Sequence, residues 1–161
     1  VAAVARATDE TNLYMAQLQF STSGAVTLTL RKRVASVESI LGTWSGGVGA
    51  SHTAFGKFFI RLQVKGSTLR CRAWPASIPE PGMWQLTATD TSLTTGTAVG
   101  ARSVRTSSNT NANLLANYDD FELLNPQTFT VTRGINGVSK SHAAGTDVRL
   151  ARPIYLAPKE S

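Results

Sequence analysis

The sequence predicts an all-β protein, an antiparallel β-sandwich extended by a C-terminal β-hairpin or arm, and three observations carry the class. Apolar and polar residues alternate with a period of two: Phe58, Ile60, Leu62 and Val64 interleave with Phe59, Arg61, Gln63 and Lys65, which puts successive side chains on opposite faces of a strand. Nine strand-like segments of this kind follow one another closely, with Gly, Pro, Ser and Thr turn signals between them. No stretch sustains a 3.6-residue period; the best helical candidate, residues 113–116, is too short to matter.

Residues 1–7 are a short apolar run containing Arg6, and residues 8–12 a polar turn. Over residues 13–20 the alternation sends Tyr14, Ala16, Leu18 and Phe20 inward and Met15, Gln17 and Gln19 outward. Residues 21–24 turn the chain, and Val26, Leu28 and Leu30 alternate with Thr27, Thr29 and Arg31 on a returning strand rich in residues that suit a half-exposed sheet. A strand over residues 37–44 ends at Trp44, which reads as core, and the four glycines of residues 45–56 mark a loop around a solvated His52. Gly66 turns the hairpin whose second strand places Leu69, Cys71 and Ala73 on a core face and Arg70, Arg72 and Trp74 on a basic face. Pro75, Pro79 and Pro81 cannot donate to a ladder and force an excursion before Trp84, Leu86 and Ala88 resume an inward face. Residues 98–104 and 118–124 supply the last strands of a sandwich spanning residues 1–124. Residues 125–161 read as an appendage, with an Asn136-Gly137 turn between strand-like runs.

With 161 residues the chain is long enough for one domain with a sizeable core. A single cysteine excludes an internal disulfide and falls on the apolar face of its strand, so Cys71 is expected as a buried thiol. No apolar run reaches the length of a membrane helix, residues 1–7 lack the pattern of a signal peptide, and Val1 reads as a cut point inside a longer protein. The net charge of +6 favours anionic partners. Apart from Arg31-Lys32-Arg33 the basic residues are scattered, with few aromatics among them, which argues against nucleic acid.

The run RCRAWPASIPEPGMWQL (residues 70–86), together with VGARS (99–103) and YDDFELLNPQTFTVTRGINGVSKSHAAGTDVRL (118–150), resembles laminin-G-like, concanavalin-type jelly-roll domains in tail proteins of actinobacterial phages and prophages. The resemblance covers the whole chain. It implies a non-enzymatic structural or adhesion module on a virion tail or similar extracellular particle surface, partnered by other tail proteins and assembled as a homo-oligomer through the appendage. It also leads us to expect strands ahead of residues 1–20, without which one sandwich edge is open or covered by another chain.

The alternative function is recognition of host cell-surface glycan, which needs an aromatic face and convergent polar groups. Trp74, Glu80, Asn109 and Asn111 are the candidates. Simpler readings stand beside them: guanidinium stacking of Arg70 and Arg72 on Trp74, core or corner packing for Trp84, and pairing of Glu80 with Arg72. A glycosidase would need two carboxyl groups, and Asp120 and Glu122 on one strand face would stand roughly 6.6 to 6.8 Å apart, within reach of an inverting pair. The Glu-x-Asp-x-x-Glu pattern of retaining hydrolases of this fold is missing, so no catalytic residue is assigned; Asp119 is expected as a buried acceptor. In the appendage Arg133, Asn136, His142 and Asp147 are candidates for contacts between subunits, without metal-ligand spacing. No cofactor is predicted, and calcium is left open.

Overall fold

The computed structural model describes residues 1–49, 51–105, 109 and 115–124. The chain divides into two compact units, Val1–Asn125 and Pro126–Ser161. All described residues lie in the first, so the hairpin expected over residues 125–161 lies outside them.

Among the described residues eight strands form two antiparallel sheets: β1 (Ala2–Asp9), β2 (Asn12–Phe20), β3 (Val26–Val34), β4 (Val37–Thr43), β5 (Phe58–Lys65), β6 (Thr68–Pro75), β7 (Leu86–Thr89) and β8 (Ala98–Arg102). The larger sheet has the order β4-β3-β2-β1-β8 and the smaller β5-β6-β7. Four strands thus meander outward from β1, the chain crosses to the second sheet, and β8 returns to the other side of β1. The segment 1–20 is therefore interior to its sheet, and the edges are β4 and β8 rather than the first strand.

The core lies between the sheets where the alternation placed it. Tyr14, Ala16 and Leu18 of β2, Leu28 and Leu30 of β3, and Leu69, Cys71 and Ala73 of β6 are all buried in one cluster. Phe58, Ile60, Leu62, Val64 and Trp44 pack against it from partly buried positions. Phe20 departs from the pattern: at the end of β2 it is 38% exposed and packs its ring against His52 and Phe58 instead.

A turn and a bulge were hidden from sequence by their composition. The β3–β4 hairpin closes on Ala35 and Ser36, both left-handed at φ 47° and 71°, a conformation normally given to Gly or Asn. Asn12 Oδ1 accepts from Ala35 N (3.0 Å) and Thr11 O from Ser36 N (3.1 Å), so the β1–β2 turn holds its neighbour in place. Arg6 likewise sits at φ 50°, where the register of β1 slips against both neighbours. Its side chain leaves the sheet to donate to Gly66 O (2.6 Å) and Leu93 O (3.1 Å).

Gly96 passes that bulge at φ 108°, and an added Cβ would stand 2.8 Å from Arg6 O. Both the backbone angle and the contact with main chain forbid a side chain. Gly96→Ala is expected to destabilise the fold by about 2–3 kcal/mol, read as a lower urea midpoint at unchanged m-value.

Three expectations fail in instructive ways. Residues 118–124 form no strand; Asp120 takes φ 52°, and Tyr118, Phe121, Leu123 and Leu124 are exposed. Met15 does face away from the core, as expected, but instead of meeting solvent there it is fully buried in a second apolar cluster with Ala2 and Leu13 on the far face of the larger sheet. Trp84, expected on the core face with Leu86 and Ala88, precedes β7 and stacks instead against Arg72.

Candidate functional site

The Trp/Pro corner is a closed device. On β6, Arg72 is 2% exposed and Trp74 7% exposed, so the expected basic face is covered over much of its length. Arg72 donates to Pro81 O (2.7 Å), pairs with Glu80 (2.6 Å), and lies 4.4 Å from the centre of the Trp84 ring. From the loop after β6, Glu80 also pairs at 3.0 Å with Arg61 of β5, the cross-strand partner of Arg72. Trp74 stacks on Phe59, its cross-strand partner, with ring centres 5.4 Å apart. The guanidinium stacking foreseen for Trp74 is made by Trp84.

Gln85 completes the corner. Its backbone N–H donates to Cys71 O (3.2 Å) and its side-chain Oε1 accepts from Ala73 N (2.7 Å), which carries the ladder one step beyond β7. The glycan candidates Trp74 and Glu80 are thus brought to one surface, where each is engaged by protein neighbours. Asn109 lies after β8, its carbonyl accepting from Arg105 (3.0 Å). Asn111, Arg133, Asn136, His142 and Asp147 lie outside the described residues.

The carboxylate pair considered for glycoside hydrolysis loses its geometric premise. Asp120 and Glu122 are exposed and share no strand, so the separation expected on a strand does not apply. Asp119 is also exposed rather than buried, and accepts from Asp120 N (2.9 Å). Among the described residues no group of three or more His, Cys, Asp or Glu is placed to hold a metal ion.

The surface that sequence reasoning missed is the outer face of the larger sheet. Arg102 of β8 pairs with Glu38 of β4 at 2.7 Å, and its Nη1 also lies 3.3 Å from Met15 Sδ. In a flat sheet β8 and β4, separated by three strands, would be roughly 19 Å apart, beyond the reach of the two side chains. The sheet must therefore curl toward this face, with β8 and β4 as its walls and Met15 on its floor. Arg31 joins the pair from β3, meeting the other Glu38 oxygen at 3.4 Å. A groove of about 390 Å³ continues along β1 and β8, lined by Val4, Leu13, Arg33 and Arg102 and ending at Asp9 and Glu10. Arg33 donates to Glu10 O (2.9 Å). Arg33 Nε and Gln17 Oε1 are buried with no hydrogen-bond partner among the described residues.

The one sequence signal for this face was Arg31-Lys32-Arg33, whose alternation splits it. Arg31 and Arg33 go to the concave side, whereas Lys32 pairs with Asp90 at 2.6 Å. Arg102 could be added only once β8 was known to lie beside β1.

The ionisable groups are tuned toward fixed charge. Burial pushes the Asp90 carboxyl upward, but Lys32, the Tyr14 hydroxyl and Ser92 outweigh it and hold the group well below the usual carboxylate range. Burial also works against ionisation of Glu38, and Arg102 and Arg31, with Arg33 behind them, reverse it to a net lowering. Asp9 is held at about 2 by hydrogen bonds from the Thr11 side chain, from Asn12 and from the Thr11 backbone. Burial pushes the Cys71 thiol up to about 12, far from a nucleophilic thiolate. Such carboxylates can orient and pair, whereas a glycosidase acid needs a carboxyl raised toward neutral pH. Comparison with known proteins gave no matching family model, no matching curated protein and no matching solved structure.

Proposed function

We propose that the chain is a non-enzymatic adhesion module of a phage or phage-like tail, a jelly-roll sandwich displayed at the particle surface and assembled with other tail proteins and with further copies of itself. The observation that carries this reading is the division of labour among its charges. Asp90 and Glu80 are engaged where sheets and corner meet, and the outer face of the larger sheet keeps a groove of about 390 Å³ beside the Arg102–Glu38 pair. Carboxylates held ionised by their partners, as those of Asp90 and Glu38 are, suit a scaffold or a binding surface better than acid catalysis. The resemblance of residues 70–86 and 118–150 to actinobacterial phage tail domains supplies the setting.

A second reading is a carbohydrate-binding module, for which the groove of about 390 Å³ beside β1 and β8 offers the space. On this reading the sugar site moves from the Trp74 corner to the concave face.

The test is co-sedimentation of the fluorescently labelled full chain with actinobacterial cells and with their purified walls. Saturable binding is expected, with no release of reducing sugar over a long incubation. Failure to bind any wall preparation overturns the adhesion reading, and sugar release that Glu122→Gln abolishes restores the enzyme.

A further inference from the structure

We propose that the concave face binds an acidic polymer, through its carboxylate or phosphate groups, at the guanidinium pair of Arg31 and Arg102, and that Glu38 is a built-in competitor which the acidic group of the ligand displaces. The inference rests on the adhesion reading and names the chemistry of its ligand.

Two guanidiniums on strands β3 and β8 converge on a single carboxylate, one on each oxygen, at 3.4 and 2.7 Å. This is the arrangement with which a protein recognises a carboxylate or phosphate. The carboxylate that fills it belongs to edge strand β4 and keeps 31% of its side-chain surface exposed, so solvent and an incoming anion reach it. Beyond the clamp the groove adds a third guanidinium, that of Arg33, beside the apolar Val4 and Ala7. The acidic residues Asp9 and Glu10 stand at the hairpin end, remote along β1 from the Ala2–Arg102 pair, and the Asp9 carboxylate is already engaged by Thr11 and Asn12. Among the described residues no aromatic side chain lines the groove, which disfavours single-stranded nucleic acid, whose bases need a stacking platform.

The experiment measures binding of the full chain to immobilised polygalacturonate, poly(glycerol phosphate), neutral dextran and duplex DNA at fixed ionic strength. Saturable binding to one or both of the first two is expected; which of them binds tells a carboxylate source from a phosphate source. Arg31→Gln should weaken it about tenfold. Glu38→Gln should tighten it about three- to tenfold, because the clamp is then vacant of charge. Asp119→Asn makes the same change in net charge at an exposed position outside the groove lining and should alter binding less than twofold. Equal effects of Glu38→Gln and Asp119→Asn, no effect of Arg31→Gln, equal affinity for duplex DNA, or binding to neither polyanion each overturns the proposal. A chain carrying Arg31→Gln that still sediments fully with cells overturns this site and leaves the adhesion reading intact, whereas absence of wild-type sedimentation removes both.

Discussion

Replacing Glu80 by Ala is expected to lower the unfolding free energy by about 3 kcal/mol, because it strands the Arg72 guanidinium in a site where only 2% of the side chain reaches solvent. The value lies at the low end for a broken buried pair. Glu80 itself is 18% exposed and Arg61, its second partner, 38% exposed, so part of the pairing is screened. Pro81 O and the Trp84 ring remain to hold Arg72. Chemical denaturation with matched m-values measures the loss. The double variant Glu80→Ala/Arg72→Met should recover much of it, because removing both charges leaves no cation to desolvate. A double variant as unstable as the single one would mean that packing at the corner, and not the ion pair, is what Glu80 sustains.

Asp90→Ala should cost about 2–3 kcal/mol through a different set of contacts. Asp90 Oδ1 accepts from the Tyr14 hydroxyl (2.7 Å), and Oδ2 pairs with Lys32 (2.6 Å). Ser92 N donates to Oδ1 (2.9 Å), and the Tyr14 hydroxyl accepts from Leu93 N (3.1 Å). Tyr14 and Lys32 belong to the larger sheet and Asp90 follows β7 of the smaller, so the cluster joins the two sheets at one end of the sandwich. Lys32 is 24% exposed and can turn to water, which keeps the cost below that of a sealed pair.

The pH dependence follows in sign. The Asp90 carboxyl titrates lower in the folded chain than in the unfolded one, so its contribution is fully present above the unfolded value of about 3.9. It is lost progressively as the pH falls below that value toward the folded one. Asp9, held at about 2, adds stability with the same sign over the same window. Unfolding midpoints between pH 6 and 2.5 should therefore fall for the wild type and fall less for Asp90→Ala. Parallel curves would remove Asp90 from the account of acid sensitivity.

How much of this was legible in the sequence depends on how far each interaction reaches along the chain. Alternation identified the inward faces of β2, β3, β5 and β6, because a strand's period is local and Tyr14, Leu28 and Leu69 each sit two residues from the next core residue. The pairing of Glu80 with Arg72 was also readable, since the two flank a short proline excursion. Met15 was not, because its burial comes from the curl of the sheet and from Arg102, far away in sequence. The concave clamp failed for the same reason: Arg31, Glu38 and Arg102 share a site only after β8 is paired with β1. The opposite error occurred at residues 118–124, where aromatic and aliphatic residues imitate a strand and no ladder partner is provided among the described residues.

The position of β8 has a kinetic consequence. Ala2 pairs with Arg102, so the larger sheet is completed by a contact that encloses almost the whole described chain. Such closure carries a large loop entropy that must be overcome before the pairing rewards it. During synthesis at ~5–20 residues per second, β1 emerges on the order of 5–20 s before the strand that covers its second side. For that interval the β1–β4 meander carries an unpaired edge at β1, a template for pairing with another nascent copy. Refolding should accordingly end in a slow step that removal of residues 98–102 abolishes, and crowding of unfinished chains is the condition under which this module is most exposed to misassembly.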